Sequence, residues 1–397
     1  MLGPDALEKA PKQLENLMLQ IQDYGIKDIA RRIAQNGHIT ATAAYQITTL
    51  MEQDIFQKDF KGELQRILGL SDQQINKLFT EASKANYIYD RRAFKARGIP
   101  FVPFEDNYLM QTMTNNIISA TQNTLRNITS SLGFAREVAG QIIFQDPAAF
   151  YQSELDLATI SITTGMKTFD KAIRDAVEKM ADSGMRTVDY KTGHHDRIDV
   201  AARRAVMGGM RDLTNFQSDY NAIAMNSTVY EISWHGGYRP SHAWGGRRFD
   251  TTGRLYPTEE ELYRIYTSPE GKIGNLGDYN CYHEKYAVFP DSPPTYSDQQ
   301  LKQMDKDQKV KRKYEGKEYT EYEARQQQRY LERIMRKQKS VIAGLKGASE
   351  VSPDPKLKED LRNARIKYKL TRGQYKDFSE TMGLTPELKR VNTGFVA

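Results

Sequence analysis

Residues 235–244 and 279–283 set the firmest limit on what this chain can fold into. The run His235-Gly-Gly-Tyr238-Arg239-Pro240-Ser241-His242-Ala-Trp244 is answered farther along by Tyr279-Asn280-Cys281-Tyr282-His283. With Trp234 beside them, these two stretches hold three of the six histidines, the only cysteine and both tryptophans. Glycine and proline punctuate them, and neither helical nor strand periodicity accounts for the pattern. Such a segment folds as a small loop-rich α+β module tied together by its own side chains, and the rest of the chain has to carry it.

The flanking sequence is mainly helical. Leu14, Leu17, Met18 and Ile21 recur at helical spacing, with Gly25 as a stop. Thr40 is placed to start a further helix, and Ser71-Asp-Gln-Gln74 has the form of a capping box. Arg97-Gly-Ile-Pro-Phe-Val-Pro103 breaks the pattern. Residues 107–135 read as a neutral polar helix with a narrow stripe of Ile117, Thr121, Leu125, Ile128 and Leu132, a kind suited to lying along another helix or between subunits. Phe169 to Met180 is strongly amphipathic and closed by Gly184; a short strand follows over Arg186–Tyr190, with a turn over Lys191–His195. A long helix from Asp199 to Asn226 leads into a strand over Thr228–Trp234. Beyond Pro290, a Pro-containing linker and a basic run precede a charged helix over 321–346, marginal without a partner, and a final helix pair ending near Gly383.

These breaks predict four regions: an N-terminal helical region (1–105), a central long-helix region (106–227), a compact module (228–290) and a basic C-terminal helical region (291–397). The expected fold is therefore mainly α, elongated and multi-domain, with a small α+β module in the second half. Hydrophobic residues at 39% against 27% charged favour long, solvated helices over one large sphere. No apolar run approaches the roughly 20 residues that span a bilayer, and no signal-like core follows the first residues. One cysteine forbids an intrachain disulfide, so synthesis in a reducing cytoplasm is expected.

His235, His242, Cys281 and His283 are candidate ligands, since imidazole and thiolate suit zinc and related ions. Cys281 and His283 would share a face of a strand, and a loop can fold His235 and His242 to one point. No standard ligand spacing is met, so the plainer alternative is that these groups pack and hydrogen-bond with Tyr238, Trp244 and Phe249. A Cys281/His242 nucleophile pair or a metal-dependent, nuclease-like enzyme using Asp250 or Asp278 lacks any surrounding motif. Arg239, Arg247, Arg248 and Arg254 either grip anions or pair structurally with Asp250 or Glu259–Glu261. Lys309, Lys311, Arg312 and Lys313 could meet DNA phosphates without sequence preference, consistent with the net charge of +6.

The motif Arg239-Pro240-Ser241-His242-Ala-Trp244-Gly, the later Asn280-Cys281-x-His283 and Tyr286–Pro290 resemble the tailed-phage minor capsid protein 2 family, related to head-morphogenesis proteins of the Mu F type. Ile39–Thr42, Asp199–Val206, Tyr319–Ala324 with Gln327–Arg333, and Tyr375-x-x-Phe378 with Gly383-Leu extend the resemblance in order along the chain. Tyr282 departs from it, standing where the family commonly has arginine, and the glycine-containing approach to Cys281 is short. The resemblance implies a non-enzymatic virion component made in the host cytoplasm. It implies attachment near the portal vertex, portal and capsid proteins as partners, a part in head assembly or in genome packaging or delivery, and no cofactor. A non-specific DNA-binding accessory protein and a metalloenzyme are the alternatives.

Overall fold

The computed structural model describes residues 3–36, 42–89, 91–138, 141–188, 195–266, 268, 271–278 and 280–391. The helix start at Ile39–Thr40, the turn at Lys191–His194 and Tyr279 lie outside them. The mainly helical fold with small antiparallel sheets agrees with the expectation, and helices make up about two-thirds of the described residues.

Four helices come first: α1 (Pro4–Lys9), α2 (Lys12–Asn36), α3 (Thr42–Tyr89) and α4 (Arg91–Ala96). Leu14, Met18 and Ile21 are buried, as their spacing predicts, and the stripe continues through Ile26, Ile29 and Ile33. Gly25 therefore does not end α2. A Cβ there would stand 3.1 Å from Met185 Cε and 3.4 Å from the Phe60 ring, so the glycine marks a close crossing inside the helix. Ser71 is likewise no cap. It sits within α3, buried, and its hydroxyl donates back to the Ile67 carbonyl at 2.8 Å.

Next comes α5 (Tyr108–Thr129), capped by Asn107, whose side chain accepts from the Met110 amide at 3.1 Å. Its Ile117, Thr121 and Leu125 are buried, and the helix packs along α3 and along the later helix over 198–225, so its polar stripe finds its neighbours within the chain. The helix stops short of the expected 135. Residues Leu132–Val138 form strand β1 instead, paired antiparallel with β2 (Gln141–Gln145). Gly133 explains the switch, because any Cβ there would collide with the Gln145 carbonyl. After α6 (Pro147–Thr163) and α7 (Phe169–Ser183), Gly184 at φ 61° ends the helix as expected and opens β3 (Met185–Val188). Strand β4 (His195–Arg197) completes an antiparallel sheet in the order β2-β1-β3-β4. Helix α8 (Ile198–Met225) then ends on left-handed Asn226.

The module follows as β5 (Val229–Ile232), β6 (Arg248–Asp250), α9 (Glu259–Ile265) and β7 (Lys285–Ala287), its antiparallel strands ordered β6-β5-β7. Helix α10 (Asp298–Asp307) and the hairpin β8 (Arg312–Tyr314)–β9 (Lys317–Tyr319) lead to α11 (Glu321–Val351). The expected final helix pair is one unbroken helix, α12 (Pro355–Thr381), since nothing between Pro355 and Gly383 breaks it. A 3-10 turn at Leu388–Val391 closes the described chain.

Three main cores organise these elements. The largest draws on Leu7, Met18, Ile29, Phe79, Leu125, Ile173, Met210, Ile342, Leu345 and Leu361 among others, so it runs through the expected boundaries at 105/106 and 290/291. Helix α11, which the sequence leaves in need of a partner, finds it in α2. Gly344 and Gly347 let the two approach: a Cβ on Gly347 would collide with the Lys27 carbonyl oxygen. A second core holds the module together with Phe94, Ala222 and Met225. The third joins α11 to α12 through Leu331, Met335, Tyr375 and Phe378.

Candidate functional site

Strand β5 delivers Ser233 to the module, and two hydrogen bonds clamp Ser233 to the run before β7. The Ser233 amide donates to the Glu284 carbonyl at 2.8 Å, and the Glu284 amide donates to Ser233 Oγ at 2.9 Å. Pro240 starts a 3-10 turn, closed by the His242 amide donating to the Arg239 carbonyl at 2.8 Å. Asn280, left-handed at φ 58°, and the Cys281 amide donating to the Asp278 carbonyl at 2.8 Å turn the second segment inward. Two glycines close over the imidazoles. A Cβ on Gly245 would stand 2.7 Å from His283 Nε2, and one on Gly274 would stand 2.7 Å from His242 Nε2.

The residues that sequence singled out therefore meet. His242 stacks on Trp244 with ring centres 4.9 Å apart, and Trp244 lies 4.7 Å from His283. Trp244 is fully buried and donates through Nε1 to the Gly274 carbonyl at 2.8 Å. Cys281 Sγ lies 3.6 Å from His283 Nδ1. Ligand atoms of His242, Cys281 and His283 all fall within 4.8 Å of one another. His235 stacks 4.2 Å from His283, but its Nδ1 is engaged with the Gly236 carbonyl at 2.9 Å and it stands outside that trio. Three of the four expected donors thus converge. Beside them is a cavity of about 100 Å³ lined by His235, Arg239, His242, Cys281, Arg325 and Arg329, among others.

Burial, with Arg239 next to it, pulls the His242 imidazole down to about 4, and burial with His235 nearby pulls His283 well below its ordinary value. Both rings are neutral at neutral pH. Burial pushes the Cys281 thiol up, the opposite of what a nucleophile requires. Asp250 is likewise committed elsewhere: its carboxylate accepts from the amides of Thr252 at 2.9 Å, Arg254 at 3.1 Å and Leu255 at 3.0 Å, shaping a loop. Two of the four arginines, Arg247 and Arg248, pair structurally, though not with the acids expected. Arg248 meets Glu231 at 2.8 Å with both buried, and Arg247 meets Asp305 at 2.8 Å while lying 4.0 Å from the Tyr266 ring centre.

Tyr282 fastens the module to the helical body. Cys281 belongs to the module core, whereas its neighbour Tyr282 belongs to the large helical core. The Tyr282 hydroxyl accepts from Arg203 of α8 and, at 3.1 Å, from Arg329 of α11. Arg329 in turn lies 3.5 Å from Glu8 of α1, which also pairs with Arg390.

The proposed phosphate-binding residues lie on or beside the β8–β9 hairpin. Lys309, Lys311, Arg312 and Lys313 are exposed, but Lys311 is 3.8 Å from Glu318 and Arg312 donates to the Met382 carbonyl at the end of α12. A stronger basic feature went unnoticed in the sequence. Between 362 and 376, α12 carries Arg362, Arg365, Lys367, Lys369, Arg372 and Lys376 with no acidic residue, and all six are exposed. Five of them, at 362, 365, 369, 372 and 376, alternate steps of three and four and so share one stripe. That spacing was the available signal.

No curated protein and no solved structure matches the chain. The model of the family described as phage minor capsid protein 2 matches residues 2–380, which takes in the helical body, the His/Cys module and nearly all of α12. A match over nearly the whole length settles kinship: the chain belongs to the phage minor capsid protein 2 family.

Proposed function

We propose that this chain, a structural component of the phage head by family, sits at the portal vertex and there contacts both a protein partner and the packaged duplex. The basic stripe of α12 carries the reading. It extends about 21 Å along the helix axis, at roughly 1.5 Å per residue. Its five side chains have no ion-pair partner among the described residues. An uncompensated row of this kind favours a polyanion through phosphate contacts that release counterions. A protein-facing surface is available where α3, α5 and α8 meet. Tyr87, Phe104 and Met110 form a small core there, and Tyr108 at 81% and Ile223 at 82% exposure stand out from it. The non-enzymatic reading is supported by Asp250, whose carboxylate is already spent on shaping its own loop.

Two measurements test the reading. In phage lysates the chain should travel with heads carrying portal, and a chain absent from mature particles would refute the location. Purified protein should bind duplex DNA with a log–log salt slope of about −3 to −5, as four or five phosphate contacts require. The triple change Arg365→Glu, Lys369→Glu and Arg372→Glu should abolish that binding. Affinity unchanged by the triple change, or indifferent to salt, would remove DNA from the proposal.

A further inference from the structure

The three converging donors invite a question that the capsid role leaves open. We propose that His242, Cys281 and His283 hold one zinc ion, with its fourth position open to the small cavity lined by Arg239, Arg325 and Arg329. The inference does not depend on portal attachment or DNA contact.

Geometry carries it. Tetrahedral zinc, with Zn–S near 2.3 Å and Zn–N near 2.0 Å, sets a sulfur and a nitrogen ligand about 3.5 Å apart. Cys281 Sγ and His283 Nδ1 are 3.6 Å apart, and the His242 donor lies within 4.8 Å of both. His242 and His283 are only 2% and 3% exposed, and His242 Nε2 has no hydrogen-bond partner among the described residues. An unsatisfied buried nitrogen is costly, and an ion bound there would replace the missing partner. The donor set selects the ion: one thiolate with two imidazoles suits zinc, while magnesium and calcium require oxygen donors. Copper sites of the same three donors add a weak axial thioether, and no methionine lines this cavity. Binding would exchange the Cys281 thiol proton for the ion.

Charge shapes the fourth position. Thiolate and zinc together leave one net positive charge beside Arg239, Arg325 and Arg329, the last two of which share the Glu8 carboxylate. Water deprotonated to hydroxide, or another small anion, is therefore the favoured occupant.

The full chain, freed of metal by a chelator, should be titrated with Zn²⁺ and separately with Co²⁺. One ion per chain is expected, with Co²⁺ giving the intense visible bands of a tetrahedral site and a near-ultraviolet sulfur-to-cobalt band. Cys281→Ser should abolish the sulfur band and weaken Zn²⁺ binding at least tenfold, whereas His195→Gln should leave both unchanged. Because Cys281→Ser could fail to fold, wild-type protein supplies a second readout: zinc should protect the Cys281 thiol from a disulfide reagent, and chelator should restore its reaction. Absence of saturable one-to-one binding, a cobalt spectrum lacking the sulfur band, or thiol reactivity indifferent to zinc would each overturn the site.

Discussion

Glu8 shows how much one side chain can hold. Burial alone would push its carboxyl up, but Arg390, Arg329 and Arg325 outweigh that and bring it down to about 2 from an ordinary 4.5. A carboxylate lowered on folding contributes stability above its unfolded value and loses it as pH falls. For Glu8 the contribution is complete above about pH 5 and drains away between 4.5 and 2. Glu8→Gln should therefore destabilise the protein by about 1–3 kcal/mol at pH 7 and flatten the acid side of its stability profile. Urea unfolding at several pH values reads this directly; equal losses for the variant at pH 7 and pH 2.5 would show that the charge was irrelevant. The same network reaches Tyr282 through Arg329, so the acid transition should also loosen the grip of the body on the module.

At the scale of elements, close helix contacts set opposite expectations for two glycines. Gly347→Ala in α11 should cost about 1–3 kcal/mol, because the new methyl collides with backbone of α2 that cannot yield easily. Gly62→Ala in α3 has open space around it and should stabilise by about 0.5–1 kcal/mol through helix propensity. Thermal melts of the pair check the sign, and two shifts in the same direction would contradict the packing. Helices and strands were largely legible in the sequence, because periodicity reports faces directly. Their ends were less so. The tetrapeptide Ser-Asp-Gln-Gln occurs at 71–74 inside α3 and at 297–300, where Ser297 and Gln300 form a true capping box. What differs is the approach: Pro293 and Pro294 stop any helix before Ser297, while Leu68-Gly-Leu70 lets one run through Ser71. The convergence of His242, Cys281 and His283 was legible from residue types alone. The exclusion of His235 was not, since it rests on the placing of its ring relative to the other donors, which no spacing announces.

For the whole molecule, one core joins residues as distant as Leu7 and Leu361, and α11 lies against α2, α7 and α12. A chain ending at Thr320 would leave Met18, Ile26 and the α7 face around Val177 without their cover. Such a truncation should lose cooperative unfolding and bind an apolar dye, although it retains the complete module. A sharp melt matching that of the full chain would mean that the N-terminal helices are self-sufficient. The module, by contrast, builds its core from residues between Phe94 and Ala287, and α11 meets it at its edge, through the Arg329–Tyr282 bond and the close approach of Glu321 and Arg325 to Gly236 and Gly237.

The late position of α11 has a consequence for how the protein is made. On the ribosome, the face of α2 that receives α11 waits uncovered until some three hundred further residues have been added, while α3, α6, α7 and α8 reach its other sides sooner. The last long helices then complete the body in a single closing event. Until α11 has emerged, a nascent chain lacks the close packing on α2 that Gly344 and Gly347 allow.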